Sequence, residues 1–155
     1  MTREVNQAGV DLIRRFEGCR LDAYPDPGTG GDPWTIGYGA TGPGIAPGVV
    51  WTQEEAEARL VEDIAQFAGA VERALTVPVS ANEFAAMVSL AFNIGAGAFK
   101  KSTLLRLVND GHFEAAAEQF LRWSKAGGRT MPGLLRRRIV ERQLFLADAA
   151  GDLRS

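Results

Sequence analysis

Glu17, Asp26 and Thr35 have the residue types and spacing for acid–base chemistry. Glu17 stands just before Gly18 at the close of an apolar-periodic segment. Asp26 lies in Tyr24-Pro25-Asp26-Pro27-Gly28, and Thr35 opens the run Thr35-Ile36-Gly37-Tyr38-Gly39. Cleavage of a glycosidic bond needs two carboxyl groups in unlike surroundings: one protonated, to donate to the leaving oxygen, and one ionised, to activate water or attack. A carboxyl in the last turn of a helix meets unsatisfied carbonyls that disfavour its charge. Phe16 beside it adds desolvation, and both effects favour the proton-holding form. A carboxyl among turn amides is instead held ionised, and a threonine hydroxyl, donor and acceptor at once, suits the holding of a water. Singly, each residue also has a plain structural reading: a solvated helix-end glutamate, an Asx-turn and a strand threonine.

The elements around these residues follow from patterning. A length of 155 residues suits one domain, and we expect a single domain over 1–155 with two lobes about a cleft. Residues 7–17 carry Val10, Leu12, Ile13 and Phe16 on overlapping apolar faces, with Asn6 as N-cap and Gly18 in the left-handed position that ends a helix. Over residues 18–51 glycine, proline, aspartate and threonine separate the strand-like pieces Trp34 to Tyr38 and Val49 to Trp51, which predicts a small β-lobe. Thr52-Gln53-Glu54-Glu55 is a capping box, and Ala56, Leu60, Ile64, Phe67, Val71 and Leu75 form one stripe on a helix over 53–75. At roughly 35 Å, that helix is long enough to link two lobes. A helical lobe over 76–150 follows. Ser80-Ala81-Asn82-Glu83 caps a helix that Gly95-Ala96-Gly97 closes, and further helices are expected near 102–110, near 112–123 and from Pro132 to about Ala149, with a loop over Lys125 to Met131. The fold class expected is α+β.

Composition is that of a soluble globular chain, 46% hydrophobic and 23% charged, which excludes disordered and fibrous classes. The net charge of −2 hides an asymmetry: residues 1–94 hold 6 Lys/Arg against 13 Asp/Glu, and residues 95–155 hold 11 against 6. A basic half suits an anionic partner, of which bacterial wall is one and nucleic acid another, and a solvated face gives the same charges. The single cysteine, Cys19, excludes an intrachain disulfide framework. No apolar run is long enough to span a bilayer, and Met1 to Gln7 is polar and unlike a signal segment.

The order Glu17, Asp26, Thr35, the last within Thr-Ile-Gly-Tyr-Gly, resembles the phage-type lysozymes of glycoside hydrolase family 24. Phe92-Asn93-Ile94-Gly95-Ala96-Gly97-Ala98-Phe99 with Ser102-Thr103-Leu104 is similar to the family's central segment. Phe120-Leu121-Arg122-Trp123, Gly127-Gly128 and Pro132-Gly133-Leu134-Leu135-Arg136-Arg137-Arg138 are similar to its C-terminal portion. The likeness covers nearly the whole chain. It implies a lysozyme-like fold and hydrolysis of the β-1,4 bond between N-acetylmuramic acid and N-acetylglucosamine in peptidoglycan, for host lysis.

The resemblance assigns Glu17 as the general acid and Asp26 with Thr35 as the pair that activates the attacking water, which implies inversion and carboxyls roughly 6.5–9.5 Å apart. It makes Phe92 and Asn93 cleft-lining sugar contacts, against core packing and helix capping as the alternatives. Ser102 becomes a substrate contact, for which a helix N-cap is the simpler role. Of the run Arg136-Arg137-Arg138, successive residues of a helix differ by about 100°, so one or two turn toward the acid, and Arg137 is the choice. Asp32 is a rival second carboxylate that lacks the family spacing. Cys19 is expected as a buried structural thiol, and His112 opens a helix, which disfavours a metal site or a histidine base. No metal and no cofactor is expected. The family's histidine after the Gly-Tyr-Gly strand is replaced by Ala40, which bears on the shape of the β-lobe rather than on the three reacting groups.

The partner implied is peptidoglycan glycan, met as a monomer, with no nucleic acid and no stable membrane insertion. The chain is similar to family members that stay in the host cytoplasm until a holin permeabilises the membrane. Two rivals stay open: a non-catalytic wall-binding or virion module with the same fold, and a lytic transglycosylase, which needs the acid but no water-activating pair.

Overall fold

The computed structural model describes residues 3–147, and the expected continuation of the last helix to Ala149 lies outside them. Seven helices are found among the described residues: α1 (Gln7–Glu17), α2 (Gln53–Ala74), α3 (Ala81–Ile94), α4 (Ala96–Lys100), α5 (Thr103–Asn109), α6 (Phe113–Gln119) and α7 (Pro132–Leu146). The strands are β1 (Arg20–Tyr24), β2 (Thr35–Gly37), β3 (Lys125–Ala126) and β4 (Arg129–Thr130), and a 3-10 turn covers Phe120–Trp123. The chain divides into two compact units, residues 14–64 and residues 3–13 with 65–147. Both α1 and α2 run through a boundary, so each helix serves both units.

In the smaller unit α1 ends as its sequence requires. The Gly18 amide donates back to the Arg14 carbonyl at 3.1 Å with φ of 66°, the left-handed conformation that glycine adopts without steric cost. β1 and β2 pair antiparallel, Arg20 opposite Gly37 and Tyr24 opposite Thr35. Five residues of β1 therefore face three of β2. The surplus middle of β1 turns to residues 49–51, Ala23 donating to Val49 and Trp51 to Leu21, with Asp22 bridged to Val50. The segment Trp34 to Tyr38 is shorter as a strand than expected. After Gly37 the chain reverses, with Ile36 and Ala40 exchanging both backbone hydrogen bonds at 3.0 and 2.8 Å, and left-handed Gly37 and Gly39 flank Tyr38. The Thr52 capping box is complete, with Glu55 N donating to Thr52 Oγ1 at 3.1 Å and Thr52 N to Glu55 Oε1 at 3.0 Å.

The larger unit is built on α3, the most buried helix, capped at Ser80 by the expected reciprocal bonds with Glu83. Phe84, Met87, Val88, Leu90 and Ala91 of α3 are core residues, as are Leu104 and Val108 of α5, Phe120 and Phe145. Gly95 ends α3 as expected, but Ala96 immediately starts α4. Residues 125–130 were expected as a loop and instead form a two-stranded hairpin, Lys125 opposite Thr130 and Ala126 opposite Arg129. Gly127 and Gly128, both at positive φ, supply the reversal that such a short hairpin needs. Pro132 takes the first turn of α7.

Candidate active site

The three residues with candidate chemistry all lie in the smaller unit. Glu17 is the last residue of α1 and is half-buried. The backbone of Gly39 lies against its carboxyl: a Cβ built at residue 39 would sit 3.2 Å from Glu17 Oε1. Asp26 begins a turn whose backbone is internally bonded, its amide donating to Gly31 O at 2.9 Å and its carbonyl accepting from Gly30 at 2.8 Å and Thr29 at 3.2 Å. Gly28 stands beside its carboxylate, where a Cβ would come 3.2 Å from Oδ2. Thr35 opens β2 directly opposite Tyr24, with its hydroxyl 3.3 Å from the Pro33 carbonyl. The register places Asp26, two residues beyond Tyr24, at the same end of the hairpin as Thr35. Glu17 and Gly39 stand at the other end, where Arg20 meets Gly37.

Below Glu17, a polar cluster joins three segments of this unit. Arg14 of α1 reaches Glu57 of α2 with Nη2 at 3.0 Å and Nε at 3.4 Å. The buried Tyr38 hydroxyl accepts from Gln53 Nε2 at 3.0 Å, and its interaction with the Glu57 carboxylate shifts both groups. The Tyr38 hydrogen bond, with Arg14, holds the Glu57 carboxyl below its ordinary value against desolvation. Burial first, and the hydrogen bond to Glu57 second, push the Tyr38 phenol up. Nothing in the sequence pattern marked Glu57 or Tyr38. Glu57 reads as one of several helix-surface acids, and only its packing distinguishes it.

Of the remaining sequence candidates, Arg137 is buried at 4% exposure, with Nε on Glu141 Oε2 at 3.1 Å and Nη2 on the Ser89 carbonyl at 3.2 Å. Arg138, fully buried, pairs with the same carboxylate at 2.7 Å, and Ser89 Oγ donates to it at 2.5 Å. Burial pushes the Glu141 carboxyl up, opposed by Arg138, Arg137 and the serine. Two cations of the basic half therefore lie in the core, while Lys100, Lys101, Arg106, Arg122, Lys125, Arg129 and Arg136 are exposed. Ser102 is the N-cap of α5, accepting from Leu105 N at 3.1 Å and donating to Phe99 O at 2.7 Å. Phe92 stacks obliquely on Phe67 with centroids 5.2 Å apart, and Asn93 is exposed near the end of α3.

Asp32 is exposed in the loop before β2, its carbonyl accepting from Thr29 Oγ1 at 2.6 Å. The expectation for Cys19 is corrected. Its side chain is exposed, because it occupies the connection between α1 and the outward-facing start of β1 rather than an inward position of either. His112 precedes α6 without a side-chain capping bond. No group of three metal-ligating side chains occurs among the described residues.

This fold defines a lysozyme-like α+β protein. The profile of the phage lysozyme family matches residues 14–141, and the chain belongs to that family. It is 45% identical over 142 residues to an endolysin of Bacillus phage B103, covering 92% of this chain and 54% of that protein. It is also 45% identical over 145 residues to an endolysin of Acyrthosiphon pisum secondary endosymbiont phage 1, covering 91% and 97% respectively. The chain thus spans about half the length of the Bacillus phage relative and nearly all of the second. Among solved structures, the muramidase domain of SpmX from Asticaccaulis excentricus matches with a TM-score of 0.86 and 38% identity, over 94% of this chain and 99% of that one.

Proposed function

We propose that the protein is an endolysin that hydrolyses the β-1,4 bond between N-acetylmuramic acid and N-acetylglucosamine in bacterial peptidoglycan, with inversion. Glu17 protonates the leaving oxygen, Asp26 takes a proton from the attacking water, and the Thr35 hydroxyl holds that water. One observation carries this reading: in a member of the phage lysozyme family, Glu17 stands at one end of the β1–β2 hairpin, and Asp26 with Thr35 at the other.

On this reading Phe92 offers its ring to a sugar face, Asn93 its amide to an acetamido group, and Ser102 a lone pair left over from capping. Arg137 is the basic residue that the family likeness assigns beside the acid. The endolysin names of the relatives support action at the wall; on this reading a monomer acts there once a holin has opened the membrane, with no nucleic-acid partner. No described helix is long and apolar enough to cross a membrane.

The test uses purified wall from several bacteria and three proteins, wild type, Glu17→Gln and Asp26→Asn, each shown folded by circular dichroism. Wild type is expected to clear the suspension and release reducing ends, and both variants to bind wall without clearing it. Release of 1,6-anhydromuramic ends by wild type would convert the reading to a transglycosylase, and binding without cleavage by wild type would convert it to a wall-binding module.

A further inference from the structure

We infer that Glu57 is a positioning residue for the acid: by holding Arg14, it fixes the end of α1 that carries the Glu17 carboxyl. The inference rests on Glu17 being the general acid.

The argument is geometric. Glu17 is the last residue of α1, and a helix terminus frays unless it is tied down. Arg14, three residues earlier, lies on the same helical face and is tied to Glu57 through two nitrogens. The other wall of the Glu17 carboxyl is the Gly39 backbone, and Gly39 follows Tyr38, whose side chain is buried at 7% exposure. The hydroxyl of Tyr38 accepts from Gln53 Nε2 at 3.0 Å, one turn before Glu57 on α2. Both segments that touch or carry the acid are thus anchored one to three residues away on the first turns of α2, the acid-bearing one through Glu57. The capping box at Thr52 in turn fixes that end of α2. A neighbouring ion pair on α2, Arg59 with Asp63 at 3.0 Å, has comparable exposure; Arg59 keeps its own bond to the Thr41 carbonyl, and Asp63 itself bonds to neither segment, so this acid serves as an internal control.

Held within a few tenths of an ångström, an acid contributes most to the transition state. Misplacement of about 1 Å costs on the order of 100-fold in rate, while sugar binding through other contacts persists. Loosening the Glu57 anchor therefore falls on kcat and spares KM.

The experiment measures kcat and KM on soluble, uncross-linked peptidoglycan strands for wild type, Glu57→Gln, Tyr38→Phe, the double variant, Asp63→Asn and Glu17→Gln, with melting temperatures alongside. Glu57→Gln is expected to lower kcat about tenfold with KM within about twofold. Tyr38→Phe should give a smaller loss of the same kind. The double variant should show both losses, because the two changes act through different partners on α2, and Asp63→Asn should keep wild-type kcat. Wild-type kcat in Glu57→Gln, a loss shared by KM, or an equal loss in Asp63→Asn overturns the inference while leaving the acid in place. Activity retained by Glu17→Gln overturns the acid assignment, and this inference with it. If Glu57→Gln does not fold, Arg14→Gln, which breaks the same pair from its other side, decides by the same criteria.

Discussion

Gly39 stands beside Glu17: a Cβ at residue 39 would lie 3.2 Å from Glu17 Oε1, closer than ordinary contact, so a methyl group there fits only if the carboxyl gives way. Gly39 also has φ of +84°, where an alanine costs roughly 1–2 kcal/mol. Gly39→Ala therefore has two effects of different kinds. The strain lowers the melting temperature, and the methyl displaces the Glu17 carboxyl by a few tenths of an ångström. Turnover on wall glycan is expected to fall about tenfold, more than the loss of folded protein accounts for. Circular dichroism melting and single-turnover cleavage, run on the same sample, separate the two. Gly48, also left-handed at φ of +87° but with nothing within 4 Å of its Cβ position, supplies the comparison: Gly48→Ala should show the strain and not the loss of turnover.

The larger unit makes a prediction from magnitudes alone. Glu141 is fully buried between Arg137 and Arg138, whereas Glu118 is 58% exposed in its pair with Arg142. Removing one partner of a buried pair strands charge away from water and costs about 3–5 kcal/mol. A surface pair is worth about 0–1 kcal/mol. Urea titration of Glu141→Ala should show the large loss, and Glu118→Ala a shift close to the error of the method.

Much of this arrangement was legible in the sequence, for a physical reason in each case. Helix starts were visible at Thr52 and Ser80 because a capping box is a local pattern that satisfies its own amides. The end of α1 was visible because Gly18 is needed for a left-handed residue there. β1 was not singled out, since Arg20-Leu21-Asp22-Ala23-Tyr24 alternates weakly and divides its hydrogen bonds between β2 and residues 49–51. The hairpin at 125–130 is wholly exposed, so no apolar alternation announced it. For the proposed site, order and spacing pointed to Glu17, Asp26 and Thr35. The pairing of Arg14 with Glu57 was hidden: the two lie 43 residues apart in sequence, and no local pattern reports a tertiary contact.

The Glu57 cluster predicts how stability responds to pH. Because the folded-state carboxyl lies below its ordinary value, its stabilising contribution is present above the unfolded pKa, about 4.3, and is lost as pH falls through the folded value. Tyr38 has the opposite sign. Its phenol is raised, so its contribution is complete below the unfolded pKa, about 10, and is lost as pH rises through the folded value. Chemical denaturation from pH 3 to 11 should show the gap between wild type and Glu57→Gln steady through neutrality and closing below about pH 4. Tyr38→Phe should lose less stability than wild type does above about pH 10. A gap that stays constant down to pH 3 would contradict the ion pair with Arg14.

Gly9 of α1 offers a test of packing in which two known effects oppose each other. Alanine in a helix is favoured over glycine by about 1 kcal/mol, so on an exposed helix face Gly9→Ala would stabilise. Here a Cβ would lie 2.7 Å from the Ala85 Cβ and 2.5 Å from Val5 Cγ1. Val5 can rotate its side chain aside. Ala85 has no rotamer to change and sits at 0% exposure in α3, so relief requires α1 and α3 to separate. Overpacking of that kind costs about 1–3 kcal/mol, which exceeds the propensity gain over most of its range. Gly9→Ala is therefore expected to lower stability by about 1 kcal/mol, and Ala85→Gly in the same background should recover part of it by making room. Thermal melts of the two single variants and the double variant measure this coupling, and a stabilised Gly9→Ala would show that the helices part without cost.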